Sequence, residues 1–140
     1  MGKTARDVMT TGVECVGESE TIVDAARKMA DLDVGGLPIC GEDNRLKGML
    51  TDRDIAVKVL AQGKDPDSTT AAELGEGKPV TIGADDSVQE ALRTMKDHKV
   101  RRLPVIDGHD LVGIVSQGDL AVEIDQEDVG ELVAAVSAAP

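Results

Sequence analysis

Apolar positions along the chain change their period from one short segment to the next, and the same changes occur twice. In TIVDAARKMADL, residues 21–32, Ile22, Ala25, Ala26, Met29 and Leu32 recur at the three- and four-residue steps of a helix face. In SVQEALRTMKDH, residues 87–98, Val88, Ala91, Leu92 and Met95 do the same. Each segment opens on a hydroxyl with a carboxylate three residues later, Thr21 with Asp24 and Ser87 with Glu90. That is the capping-box spacing, which satisfies free backbone N–H groups at a helix start. Short strands are predicted before the helices, over Val13–Val16 and Val80–Ile82. Strand pairs are predicted after them, Gly36–Ile39 with Leu46–Leu50 and Leu103–Ile106 with Leu111–Val115. Their connections, CGEDNR and DGHD, are rich in turn residues. Second helices follow over residues 52–61 and 117–124, so each unit reads β-α-β-β-α.

The two units are copies. A shift of 66 residues lays Thr21 on Ser87, Ala25 on Ala91, Met29 on Met95, Leu37 on Leu103 and Pro38 on Pro104. One residue is then lost in a turn, and a shift of 65 pairs Leu46 with Leu111, Gly48 with Gly113, Thr51 with Ser116 and Asp54 with Asp119. A single slip in a surface turn is what a duplicated fold tolerates. The pattern places the first repeat at 1–62, a linker at 63–78, the second repeat at 79–125 and a C-terminal helix or tail at 126–140. Within the linker Thr70–Leu74 reads as a helical turn that echoes Thr4–Val8. In the tail, Val129, Leu132, Val133 and Val136 fall at helical spacing. The fold class is α/β (α+β), and one unit alone leaves the apolar face of its sheet exposed. Two such units are expected to cover each other around a pseudo-two-fold axis.

Composition narrows the chemistry. With 140 residues, of which 41% are apolar, a core forms without metals or a disulfide framework. That core contains no Phe, Tyr or Trp, so a planar ligand has to be gripped by aliphatic side chains or arginine planes. The formal charge of −12 disfavours nucleic acid and anionic membrane surfaces, both of which are bound mainly through Lys and Arg. No apolar run is long enough to span a bilayer, and the N-terminus lacks an apolar signal core. A cytoplasmic protein is expected.

The repeated phrases GMLTDRDI (residues 48–55) and GIVSQGDL (residues 113–120) carry the candidate chemistry. Thr51 and Ser116 stand where a strand becomes a helix, with Asp54 and Asp119 three residues on. Such a pair caps the helix, stabilising it by about 1 kcal/mol. A carboxylate placed there also accepts hydrogen bonds from the vicinal hydroxyls of a ribose, while the free N–H groups favour a phosphate. The copies differ around this shared core. Arg101-Arg102 replaces Gly35-Gly36, and Gly118 replaces Arg53, so the two sites are chemically unequal. Lys99, Arg101 and Arg102 suit an anion site and equally suit a basic edge strand that discourages aggregation.

This double β-α-β-β-α pattern, with VGGLPIC or VRRLPVI on the middle strand and the S/T-x-x-D phrase at its end, resembles the CBS domain, here as the tandem pair called a Bateman module. The resemblance covers about residues 5–125. It implies a regulatory protein that binds an adenosyl nucleotide (AMP, ADP, ATP, NAD or S-adenosylmethionine) in clefts between the repeats and commonly dimerises. It places Asp54 and Asp119 on the ribose and maps its hydroxyl residue onto Thr51 and Ser116 and its phosphate-contacting basic residues onto Arg101 and Arg102. Thr51, Ser116 and Arg53 are taken to join them at the phosphates, and the aliphatic strand residues Val13 and Val80 to flank the base. No enzyme, channel or transporter domain accompanies the pair, so a stand-alone sensor with a regulated protein partner is expected. The other class of reading is a ligand-free dimeric interaction module whose motifs only cap helices.

No catalytic constellation and no required cofactor are expected. His98 and His109 lie in the second repeat and both cysteines in the first, none at metal-ligand spacing. Cys15 and Cys40 correspond to Thr81 and Ile106 in the other copy. They flank one helix on two strands, which allows a disulfide, although two reduced core thiols are the reading favoured for a cytosol.

Overall fold

The computed structural model describes residues 2–75, 79–123 and 126–137. Elements follow in the order α1 (Ala5–Val8), β1 (Val16–Gly17), α2 (Ile22–Leu32), β2 (Gly36–Cys40), β3 (Leu46–Thr51) and α3 (Asp52–Asp54). A π-helical segment (Ile55–Leu60) continues α3, followed by α4 (Ala71–Leu74), β4 (Ile82–Gly83), α5 (Val88–His98) and β5 (Arg102–Asp107). The chain ends with β6 (Asp110–Ser116), α6 (Gln117–Ala121) and α7 (Gln126–Ser137).

Each repeat builds one three-stranded sheet. In the first, β1 runs parallel to β2, pairing Val16 with Ile39 and Gly17 with Cys40, and β2 is antiparallel to β3. In the second, β4 pairs parallel to β5 and β5 antiparallel to β6. An irregularity falls at matched places, between Ile39 and Cys40 and between Val105 and Ile106. The leading strands are shorter than predicted and begin later, at Val16 and Ile82, because only two residues of each reach the central strand's edge.

Contacts group Glu14–Pro79 into one compact unit and Met1–Val13 with Val80–Pro140 into the other. The consecutive boundaries read from the sequence therefore differ from the contact grouping. In the first-repeat unit, α4 docks on the strand end: Ala71 N–H donates to the Glu20 carbonyl (2.9 Å), and Ala72 N–H to that of Glu18 (3.0 Å). The counterpart of α4, α1, docks on the second repeat, where Ala5 N–H donates to Asp86 O (2.8 Å). Thr10 and Ile114 exchange two backbone bonds (2.8 and 3.0 Å) there. Ala71 and Ala5, each without exposure, sit in the two cores at equivalent positions.

The motif's glycine explains itself at these docking points. A Cβ on Gly48 would lie 3.2 Å from the Gly75 backbone, and one on Gly113 would lie 2.8 Å from the Thr10 carbonyl. Both β3 and β6 need a position without a side chain where the docked segment crosses.

Helix α5 buries Val88, Ala91, Leu92 and Met95 as the periodicity predicts. Helix α2 buries Ile22, Ala25 and Met29, but Ala26 is exposed and Leu32 is 41% exposed, so its apolar face is narrower than expected. The capping box at Thr21 closes in both directions (3.2 and 3.3 Å). At Ser87 only the hydroxyl caps, since Glu90 pairs with Arg93 (2.7 Å). Both helices end on a left-handed non-glycine residue, Asp33 or Lys99.

The second helix of the first repeat departs from an α-helix after one turn: Ala61 N–H reaches back to Ala56 O and Lys64 N–H to Val59 O, bonds of five-residue span. In the second repeat α6 stops at Ala121, and Ile124 lies outside the described residues. In the tail helix Leu132 and Val136 are buried and Val133 is exposed, while the side chain of Val129 lies outside the described residues. Among the described residues no helix is long and apolar enough to cross a membrane.

Candidate functional site

The sheets place the two S/T-x-x-D motifs at equivalent strand ends. Thr51 closes β3 opposite Gly36, and Ser116 closes β6 opposite Arg102. Extended backbone at each hydroxyl residue turns directly into helix, and both capping boxes form. Asp54 N–H donates to Thr51 Oγ1 (3.1 Å), and Thr51 N–H donates to Asp54 Oδ2 (3.0 Å). Asp119 and Ser116 repeat this at 3.1 and 2.9 Å. Each carboxylate is therefore fixed by one oxygen, and both aspartates are half-buried.

The second oxygen distinguishes the copies. Asp54 Oδ1 lies 3.4 Å from Lys58 Nζ, one helical turn on. The residue 65 positions later is Glu123, which pairs with Lys3 (3.1 Å), and Asp119 Oδ1 has no hydrogen-bond partner among the described residues. Lys58 and Glu123 escaped the sequence reading, although the i,i+4 spacing from each aspartate was there to be seen.

Basic groups are redistributed in the same way. Gly35 O accepts Asp52 N–H (2.9 Å) at the first motif, and Arg101 O accepts Gln117 N–H (2.8 Å) at the second. Arg102 thus opens the strand that pairs beside Ser116 in one unit, and Arg101 immediately precedes it. Arg53 and Lys58 stand on the helix of Thr51 and Asp54 in the other. Val80 is half-buried against the core of the second-repeat unit. Val13, also half-buried, ends the N-terminal segment grouped with that same unit.

Cys15 and Cys40 are joined in a disulfide, where the sequence favoured a pair of reduced thiols. The parallel register explains the meeting: Gly17 pairs with Cys40, which brings the residue just before β1 beside the end of β2. Beside this bridge is an open cleft of 540 Å³ lined by Gly17, Glu18, Ser19, Cys40, Gly41, Glu42, Asp43 and Lys47. Its three carboxylates oppose a phosphate, and neither Thr51, Arg53 nor Asp54 lines it. His98 and His109 are both exposed, and among the described residues no three His, Cys, Asp or Glu side chains group to hold a metal ion.

Comparison with known proteins places the fold. The chain is 50% identical over 133 residues to hypoxic response protein 1 of Mycobacterium tuberculosis, covering 95% of this chain and 93% of that one. It is 41% identical to the CBS domain-containing protein YhcV of Bacillus subtilis, covering 94% of each. A crystal structure of hypoxic response protein I with two coordinated zinc ions superposes with a TM-score of 0.82 at 53% identity, over 88% of this chain and all of that one. CBSX2 in complex with AMP superposes at 0.74 with 26% identity, over 86% of this chain and 95% of that one. The model of the CBS domain matches residues 5–61 and again residues 71–126, and the chain belongs to the CBS-domain family as a tandem pair.

Proposed function

We propose that this chain is a cytoplasmic regulatory CBS pair that binds an adenosyl nucleotide (AMP, ADP, ATP, NAD or S-adenosylmethionine) at its S/T-x-x-D motifs. Occupancy would be passed to a protein partner through a change in conformation or in homodimer assembly, with no chemical step. One observation carries the reading. Each motif aspartate is oriented through Oδ2 by its own cap amide, and at Asp119 the other oxygen has no partner among the described residues. An oriented acceptor with a spare oxygen suits a ribose diol, and Arg101 and Arg102 at the entry to the adjacent strand suit its phosphates. At the first motif Arg53 and Lys58 supply the cationic side chains, with Lys58 already drawn to Asp54. AMP in the CBSX2 complex supports the ligand class, and the name of the mycobacterial relative supports a signalling role.

The complete capping boxes favour the second reading, a ligand-free interaction module. Calorimetric melting with AMP, ATP, NAD and S-adenosylmethionine separates the two. A ligand at a hundred times its Kd stabilises by about 2.7 kcal/mol. Melting unmoved by every ligand overturns the sensor, and a shift that survives in the double variant Asp54→Ala, Asp119→Ala overturns the site.

A further inference from the structure

The disulfide lies at a mechanically singular place in the first repeat. Cys40 is 4% exposed and closes β2, whereas Cys15 is half-buried and directly precedes β1. β1 holds to the sheet through two residue pairs only, Val16 with Ile39 and Gly17 with Cys40. In the second repeat β4 makes the same two pairings, and the positions of the cysteines are Thr81 and Ile106. The strand pairing therefore forms in this fold without a covalent link, and the bridge adds a constraint to one copy alone.

That constraint reaches beyond β1. The Glu18 N–H donates to the Cys40 carbonyl (3.2 Å). The Glu18 and Glu20 carbonyls then accept the first amides of α4, Ala72 and Ala71 (3.0 and 2.9 Å). A chain of direct contacts thus leads from the bridge through β1 to the docked α4 segment. Without the bridge, the start of β1 is held by the bond from Lys28 Nζ to the Cys15 carbonyl (2.9 Å), the two strand pairings and the burial of Val16 in the first-repeat core.

We propose that Cys15–Cys40 is a reversible redox site, opened by a dithiol reductant, whose opening loosens β1 and the α4 segment from β2. One thiolate of the reductant attacks Cys15 Sγ, on the more exposed of the two residues. A mixed disulfide forms as the Cys15–Cys40 bond breaks, and Cys40 leaves as a thiolate that takes up a proton. The reductant's second thiol, as thiolate, displaces Cys15 and closes its own disulfide, so two electrons pass to the protein and two protein thiols result. Glu18, Glu42 and Asp43 around the adjoining cleft oppose an anionic thiol, which favours an uncharged dithiol as the reductant. The inference stands independently of the nucleotide reading.

The test uses the full chain in native buffer over a series of reduced-to-oxidised dithiothreitol ratios. Alkylation counted by mass spectrometry is read beside amide hydrogen exchange. Labelling should rise from no thiols to both and reverse on reoxidation. In the reduced state the amides of Val16–Glu18 and Ala71–Gly75 should exchange about tenfold faster or more. Those of Ile82–Gly83 and Ala5–Val8 should not change. Thiols that stay unlabelled in fully reduced dithiothreitol overturn the reversible site, and reduction without faster exchange at Val16–Glu18 and Ala71–Gly75 overturns the clamp. The variant Cys15→Thr with Cys40→Ile, which borrows the second repeat's residues, should match the reduced protein and ignore dithiothreitol. If that variant fails to fold, the labelling and exchange series on the natural chain still decides.

Discussion

Gly113→Ala tests why the repeated phrase begins with glycine. An added Cβ would lie 2.6 Å from Met9 Sδ, 2.9 Å from Met9 Cγ and 2.8 Å from the Thr10 carbonyl oxygen. The methionine side chain can swing aside, but the carbonyl belongs to the backbone pair that Thr10 and Ile114 exchange. Either the crowding persists as overpacking, or the segment lifts and both bonds are lost. The first route costs about 1–3 kcal/mol. The second costs about 0.5–1.5 kcal/mol per bond. These are alternatives and do not add. Restricting the unfolded chain offsets about 0.4–1 kcal/mol. The net expectation is a loss of about 1–2 kcal/mol, which for a domain of this size lowers the melting temperature by roughly 3–10 °C. Because the chain has no Trp, Tyr or Phe, calorimetry or far-ultraviolet circular dichroism is the assay, with hydrogen exchange at Thr10 and Ile114 as the local reading. Gly48→Ala should cost less, since its nearest atoms are 3.2 Å away. A Gly113→Ala protein that melts within about 1 °C of the natural one, with unchanged exchange at those amides, refutes the close-approach argument.

Gly118→Ala should act in the opposite direction. A Cβ there meets only Ser116 Oγ at 3.7 Å, and the residue lies within α6, so stability should rise by up to about 1 kcal/mol in thermal unfolding. On the acid side, the Thr4 amide donating to Asp7 (2.8 Å) and the Thr70 amide donating to Glu73 (2.6 Å) hold both carboxyls below their ordinary range. A depressed folded-state pKa contributes stability that is present above the unfolded value and is lost as pH falls below about 4. Melting temperature followed from pH 6 to pH 2.5 should therefore decline less steeply in Asp7→Asn with Glu73→Gln than in the natural protein, and superimposable curves would contradict this.

Much of this architecture is legible in the residues. Strands β2, β3, β5 and β6 and helices α2 and α5 fall within a residue or so of the pattern, because hydrophobic period and caps are local properties. The S/T-x-x-D motifs stand out because the chain repeats them in register, and both aspartates occupy the helix starts that the spacing implies. Ala26 misled because a small apolar residue fits either face of α2, and its counterpart Leu92 is buried only in the other copy. The π-helical turn at Ile55–Leu60 was hidden for another reason: IAVKVL reads as helix whether its bonds span four residues or five. The difference between the two aspartates also needed coordinates, since spacing alone does not say that Lys58 reaches Asp54 or that Glu123 turns to Lys3.

The sequence by itself determined that this chain is one β-α-β-β-α unit written twice, with an oriented carboxylate at the end of each copy. Periodicity, capping and register are repeated along the chain, and a duplication tests its own reading. Only the tertiary structure decided that residues 4–8 dock on the second repeat and 70–74 on the first, and that Cys15 meets Cys40. The two lead-in segments carry nearly the same pattern and the two repeats offer nearly the same docking edge, so local rules favour neither pairing. The choice depends on contacts between residues distant in sequence, Thr10 with Ile114 and Gly48 with Gly75, which exist only once the chain has folded.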